Sequence, residues 1–276
     1  MIPIKSDREI DKMRVAGRAA REILEAVSSL IRPGVTTGEI DQAAADFMAE
    51  KSCKSAFLGY RGFPGHICIS VNEEVVHGIG GPRRIQYGDI IKIDIGVIKD
   101  GWVGDTATTV PAGVVDEKVQ RLLRVTEEAL TLAISHALSG RRLGDLCAAI
   151  ESEVTANGYN VVREFVGHGV GRKLHEEPQV PNYGRRGSGP KLKPGMTLAI
   201  EPMVNMGVSG VRVLGDKWTV VTADNKPSAH FEHTVLITKG EPEILTCPEA
   251  ILSKLVGRSS RCCRAECFES SFPTAM

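Results

Sequence analysis

The 276-residue chain has no net charge, few aromatic residues and no long apolar run. Lysine plus arginine and aspartate plus glutamate both number 34. The electrostatic footprint of a nucleic-acid binder is therefore missing, and no direct DNA binding is expected. No stretch approaches the roughly 18 apolar residues that would span a bilayer, so no membrane association is expected. The N-terminus, MIPIKSDREIDKM, has no apolar core and does not read as a secretory signal. The seven cysteines include no CxxC pair. Cys53, Cys68 and Cys147, in the body of the chain, are expected to be reduced, buried thiols of a cytoplasmic protein. There is no HExxH, which excludes a zincin, and the glycines of GHGVG have the wrong spacing for a dinucleotide fingerprint.

What is present is ordinary for a folded domain. Hydrophobic residues make up 42% and charged residues 25%, which excludes wholesale disorder. A chain this long buries roughly 70–75% of its extended surface and needs no disulfide or metal to hold a core. Ser6 to Glu9 forms a capping box, followed by an apolar stripe of Ile10, Met13, Val15, Ala16 and Ile23 that ends before Pro33-Gly34. A second box, Thr36 to Glu39, opens a helix through about Lys51. Further helices are expected over 115–138 and 144–157. Strands are expected over 67–71, 89–97, 102–110, 161–165, 196–204, 218–222 and 230–237.

The order is two helices and strands, then two helices and strands again. Gly34, Gly38, Glu39, Ile40 and Ala43 recur 106 residues later as Gly140, Gly144, Asp145, Leu146 and Ala149. Internal duplication and chance both account for that echo. The expected fold class is α+β, with two halves packed as one domain over residues 1–246 and sharing a cleft. Residues 247–276 are expected to form a flexible C-terminal tail.

The chemistry concentrates in a hairpin. In IIKIDIGV the isoleucines face one way and Asp94 the other, and Asp105 lies in the alternating segment WVGDTATTV. With Lys99-Asp100 as the loop, the two aspartates are directly opposed, with Cβ atoms roughly 4.5–5.5 Å apart. With Asp100-Gly101 as the loop they are diagonal on the same face. Like charges so placed require a proton or a cation between them. The alternative is a solvated face shared with Lys92, Ala107 and Thr109.

Three further residues stand in unusual settings. His168 lies in FVGHGVG, where glycines let a partner approach. Glu201 ends the apolar LAIEPMV, and Glu232 lies within AHFEHTVLI. A glutamate in so apolar a run is rarely buried unless it is paired or bound to metal. The bland readings are a satisfied core histidine, an ion pair of Glu201 with a residue such as Arg212, and an exposed edge for Glu232. Together, four carboxylates and one imidazole suit two divalent first-row ions. His77, before Gly78-Ile79-Gly80, and His175, seven residues after His168, stand near this set. His66, His136, His230 and His233 carry no comparable expectation.

The chain from about Ile4 to Thr246 resembles bacterial-type (type I) methionine aminopeptidases of metallopeptidase family M24. The resemblance is carried by VNEEVVHGIG, IKIDIGV, DGWVGDTATT, GHGVGRKLHEEPQVPNYG, PGMTLAIEPM and FEHTVLI. It implies the "pita-bread" (creatinase/aminopeptidase) fold, in which two pseudo-symmetric α+β halves surround a central antiparallel sheet. It also implies removal of the initiator methionine from nascent polypeptides when the second residue is small and uncharged. By the same resemblance Asp94 binds one metal ion, His168 and Glu201 bind the other, and Asp105 and Glu232 bridge both. The ions would be two per chain, of cobalt, manganese, iron or zinc. His77, His175 and Glu201 would be the catalytic side chains, with His77 and His175 contacting substrate. Tyr60, Phe63, Cys68 and Trp218 would line the methionine pocket, with Phe57 at its edge, although from the sequence alone core packing is the better account of these aromatics. The resemblance further implies a cytoplasmic monomer acting at the ribosome exit.

Type II relatives carry an insertion before the last ligands, for which the spacing of His168 and Glu201 leaves no room. X-Pro peptidases share the fold but usually carry a large N-terminal domain, for which His77 comes too early. A catalytically dead binding module on the same fold would have lost ligands. His66, in FPGHICIS, departs from a lysine common in relatives, and the cysteine-bearing tail has no recognised counterpart.

Overall fold

The computed structural model describes residues 1–247. The tail expected over 247–276 lies, apart from Cys247, outside the described residues. Four helices are described: α1 (Asp7–Ser28), α2 (Thr37–Glu50), α3 (Glu117–His136) and α4 (Leu143–Ala156). The strands up to the third helix are β1 (Lys54–Ser55), β2 (Cys68–Val71), β3 (Glu74–Val76), β4 (Ile90–Lys99) and β5 (Trp102–Pro111). After the fourth come β6 (Asn160–Val161), β7 (Gly167–Gly169), β8 (Glu176–Val180), β9 (Thr197–Ile200) and β10 (Met203–Asn205). The remainder are β11 (Val211–Val213), β12 (Val220–Thr222), β13 (Ser228–His230), β14 (Glu232–Leu236) and β15 (Glu243–Ile244).

The main sheet runs β1-β4-β5-β14-β9-β7-β8, with β2 also on β4 and β15 on β14, and its pairs are antiparallel. Alternation along the strands divides its two faces. Ile91, Ile93, Ile95 and Val97 of β4 pack beneath α1 and α2 with Ile23, Leu24, Ile40 and Met48. Leu198, Ile200 and Val235 pack beneath α3 and α4 with Leu122, Leu130, Leu146 and Ile150. Each such side chain contributes about 1.5–3 kcal/mol over exposure, so the helix-covered face anchors the sheet. The opposite face is free to carry polar residues. Cys53, Cys68 and Cys147 are free and buried, as expected of reduced thiols.

The two halves repeat one another in their hydrogen bonds as well as in sequence. The Gly34 N–H donates to the Ile85 carbonyl (2.8 Å), and Gly140 donates to Leu192 (3.0 Å). Gly38 donates to Gly81 (2.8 Å), and Gly144 to Ser188 (3.0 Å). Thr36 bridges Arg84 as Arg142 bridges Lys191. Glu39 accepts from the Thr36 N–H (2.7 Å) as Asp145 accepts from the Arg142 N–H (2.9 Å), although only Thr36 has a side chain that accepts in return (3.1 Å).

Two expected strands are broken where they matter. The segment 196–204 divides at Glu201-Pro202, because proline has no N–H to continue the ladder. The segment 230–237 divides at Phe231, where the chain leaves a small sheet, β13-β10-β6, for the main one. Trp218 and Thr219 stay outside their expected strand because both backbone N–H groups donate to Asp216 Oδ1 at 2.9 Å. The segment 161–165 contracts to β6. The sequence reading assigned no strand to the glycine-rich β7 or to β8.

Candidate metal and peptide site

The hairpin closes through Asp100-Gly101, both at positive φ (50° and 77°), which marks a two-residue primed turn. Asp94 therefore pairs with Ala107 and Asp105 with Gly96, and the aspartates are diagonal on one face. Strand β14 continues both rows. Glu232 pairs with Ala107, and Thr234 with Ala199, which in turn pairs with His168. Glu201 follows directly on β9. Thr234 Oγ1 donates to the Asp105 carbonyl (2.8 Å) and Thr106 Oγ1 to the Glu232 carbonyl (2.9 Å), fastening β14 to β5. The residues between the ligand-type side chains are Gly96, Ala107 and Ala199. The small Ala107 and Ala199 leave a chamber above the sheet, closed off at Gly96 by the Phe57 ring, which a Cβ there would meet at 2.3 Å.

All five side chains converge on that chamber. Asp105, His168 and Glu232 are 3%, 7% and 2% exposed, and one ligand atom from each lies within 4.8 Å of the others. His168 Nε2 is 3.7 Å from Asp105 Oδ2 and 3.6 Å from Glu201 Oε1. These separations are too long for hydrogen bonds. They match two atoms that each ligate one ion at about 2.0–2.2 Å, which lie roughly 3–4 Å apart. His168 Nδ1 donates to the Gly169 carbonyl (2.9 Å), leaving the Nε2 lone pair directed at the carboxylates. Asp94 Oδ1, Asp105 Oδ1 and Glu232 Oε1 are buried with no hydrogen-bond partner. Buried oxygens of this kind call for a cation, and an oxygen-rich set with one imidazole suits divalent first-row ions.

The electrostatics agree. Burial raises Asp94 to about 7. It lifts Asp105, Glu201 and Glu232 well above the usual carboxylate range, and their mutual repulsion adds to it. Burial, then the neighbouring His175, holds His168 down to about 3, against the Gly169 carbonyl. Burial, with His175 again secondary, lowers His77 to about 4. Burial and the Arg61 cation lower His175.

Each expected residue has a defined place. The glycines around His168 make room for backbone: a Cβ at Gly167 would stand 2.4 Å from the Ala199 carbonyl oxygen, and one at Gly169 2.2 Å from that of Glu177. His175 follows that loop, and its ring lies 4.2 Å from that of His168. His77 sits at φ 60°, a conformation that costs about 1–3 kcal/mol for a side-chain-bearing residue. Its ring stands edge-on to Phe165 (5.4 Å) and Trp218 (6.3 Å). Phe63 and Trp218 form a T-shaped pair at 5.2 Å. Cys68 pairs with Asp94 across β2 and β4, and Phe57, Phe63 and Cys68 share one apolar cluster with Tyr60 and Trp218 packed against it. Arg212 donates to Asn225 Oδ1 at 2.9 Å, on a strand away from Glu201. A cavity of about 580 Å³ opens beside His168 and His175, lined also by Met1, Pro3, Arg61 and Gln179.

The sequence reading passed over His230. It is 1% exposed, its Nε2 lies 3.6 Å from Glu201 Oε2, and neither ring nitrogen has a hydrogen-bond partner. Nothing local marks it, because it ends β13 in the small sheet and meets Glu201 only through the fold. Phe165 was missed for want of any motif. His233, by contrast, turns away and meets Thr246 Oγ1 at 2.9 Å.

Residues 11–239 match the sequence profile of metallopeptidase family M24. Methionine aminopeptidase of Clostridium perfringens is 50% identical over 246 residues, covering 89% of this chain and 99% of that protein. Methionine aminopeptidase 1 of Bacillus subtilis shows the same identity and coverage. The crystal structure of methionine aminopeptidase from Thermotoga maritima superposes with a TM-score of 0.89 at 46% identity, covering 90% of this chain and 100% of that one.

Proposed function

The chain belongs to metallopeptidase family M24, and from that premise we infer that its acidic chamber hydrolyses the first peptide bond after an N-terminal methionine. The activity is that of a type I, metal-dependent aminopeptidase with the α+β pita-bread fold. Its substrates are the N-termini of newly made chains. The observation that carries the site assignment is the meeting of Asp105, His168 and Glu232, with Glu201 3.6 Å from His168, beside three unpartnered buried oxygens of Asp94, Asp105 and Glu232.

The donor set fits two divalent ions, of cobalt, manganese, iron or zinc. Asp94 would hold one, His168 and Glu201 the other, and Asp105 and Glu232 both. When bound, such ions lower the pKa of a water toward neutrality and polarise the scissile carbonyl. Glu201 takes the proton of the attacking water, because its carboxylate borders the chamber beside His168. His175 donates to the carbonyl oxygen as negative charge develops there. His77 donates a hydrogen bond at the departing amide nitrogen, which is protonated by the proton that Glu201 took from the water. The methionine side chain is received by Tyr60, Phe63, Cys68 and Trp218, with Phe57 behind them. Sulfur against aromatic edges contributes roughly 0.3–1.5 kcal/mol per contact. A small, uncharged second residue keeps the carbonyl accessible.

Residues 1–246 form the single catalytic domain, which is supported by Thr246 bonding back to His233 and Thr234. The enzyme acts as a monomer, since all the proposed ligands come from one chain, and in the cytoplasm at the ribosome exit, where its substrates emerge. Among the described residues no helix is long and apolar enough to cross a membrane. Purified protein should release methionine from Met-Ala-Ser and leave Ala-Pro intact, only with a divalent metal added. Cleavage of Ala-Pro, or release of methionine in excess chelator, would overturn the reading.

A further inference from the structure

His168 and His175 stand ring against ring, yet their Nδ1 atoms meet different partners. His168 Nδ1 faces the Gly169 carbonyl, which can only accept. His175 Nδ1 lies 2.8 Å from the Tyr60 hydroxyl. A neutral imidazole carries one donor and one acceptor, and the partner of one nitrogen decides which nitrogen holds the proton. A phenol is the better donor and an imidazole nitrogen the better acceptor, so the bond runs from Tyr60 to His175.

We propose that Tyr60 is a positioning residue, whose hydroxyl donates to His175 Nδ1 and fixes that ring with its proton on Nε2. The two neighbouring histidines then have opposite tautomers. His168 presents a lone pair at Nε2 and His175 presents an N–H. This rests on the reading of His175 as a donor to the substrate carbonyl, which only the Nε2–H form can be while Nδ1 is engaged.

The local structure serves this arrangement. Tyr60 opens a single 3₁₀ turn, Tyr60–Gly62, entered through Gly59 at φ 79°. The Phe63 N–H closes the turn on the Tyr60 carbonyl (2.9 Å). Arg61 is held at φ 50°, and its guanidinium lies 5.5 Å from the Tyr60 ring. The Tyr60 ring tilts 31° to that of His175 at 5.2 Å. The segment after His175 is held independently: Glu176 pairs with Gly169 across β7 and β8, and its carboxylate accepts from the Arg172 N–H (3.0 Å) and from Lys5 Nζ (2.6 Å). Removing the Tyr60 hydroxyl therefore alters the ring's protonation pattern without releasing its loop.

Tyr60→Phe keeps the aromatic wall and deletes only the donor. Long-range ¹⁵N NMR of the full chain, metal-free and zinc-loaded, reads the tautomers directly. In the unsubstituted protein His175 should carry its proton on Nε2 and His168 on Nδ1. In Tyr60→Phe, His175 should become a mixture, and kcat on Met-Ala-Ser should fall about 10–100-fold, as for loss of an orienting partner, with KM little changed. A His175 proton on Nδ1 in the unsubstituted protein, or an unchanged tautomer and kcat in Tyr60→Phe, overturns the proposal. His175→Ala with full turnover would instead remove the underlying role of His175, and the tautomer spectrum would still decide the claim about Tyr60.

Discussion

Replacing Gly167 by alanine would test how tightly the strand ladder holds His168. The added Cβ would stand 2.4 Å from the Ala199 carbonyl oxygen and 3.2 Å from Glu201 Cγ, where ordinary contact begins at 3.4 Å. Strand β7 must therefore move by about 1 Å from β9 to relieve the clash. The displaced residue is the neighbour of His168, whose own partner across that ladder is Ala199. Overpacking of this kind costs about 1–3 kcal/mol. At about 2–4 °C per kcal/mol for a domain of this size, Tm should fall by roughly 2–12 °C. A shift of about 1 Å in a catalytic constellation can cost about 10²-fold, so kcat/KM on Met-Ala-Ser should fall by that order, with weakened metal retention. Gly158→Ala is the control. Gly158 ends α4 at φ 82° with nothing within 4 Å, so alanine there should cost about 1–2 kcal/mol of backbone strain and leave kcat/KM intact. Calorimetry, metal analysis and a methionine-release assay on both variants decide the matter. Wild-type activity and metal content in Gly167→Ala would refute the reasoning, as would equal loss of activity in Gly158→Ala.

Asp105→Ala and Glu232→Ala should each abolish activity and reduce bound metal toward zero, because each is assigned to both ions; full occupancy in Asp105→Ala by elemental analysis would defeat the bridging role. His175→Ala should retain metal and lose about 10²–10³ in turnover, as for one oxyanion donor, and loss of metal along with rate would reassign it as a ligand. Intact-mass measurement should find Met1 retained on the mature protein. Ile2 is stiff at χ1 and packs against the second-half core, whereas Ile2→Ala should yield a mass short by one methionine.

The helices were legible because their signals are local: two capping boxes and an apolar stripe mark α1 and α2 within a few residues of their ends. The ligand-type residues were legible because a carboxylate in an apolar run contradicts its surroundings, as Glu232 does. The register of the hairpin was not, since one residue of slip between two plausible turns separates a direct from a diagonal pair. Only the positive φ at both Asp100 and Gly101 decides it. Strand β7 escaped notice because glycine is chosen there for the crowding of Ala199 and Glu177, a long-range fact with no local trace. His230 and the Tyr60–His175 bond likewise depend on chain segments brought together from far apart in sequence.

The main sheet is continuous from β4 through β5, β14 and β9 to β7, and the first half of the chain supplies Asp94 and Asp105 while the second supplies His168, Glu201 and Glu232. On the proposed assignment, an ion held between them would be a cross-link at the β5–β14 seam. Any opening that parts these strands must also release the ion. Occupancy at 100 times the dissociation constant then adds about 2.7 kcal/mol to the free energy of such openings. Amide hydrogens beneath α1 and beneath α3 should consequently slow together when metal is added. Fraying at surface turns such as Asp100-Gly101, which leaves the seam closed, should exchange at the same rate with or without it.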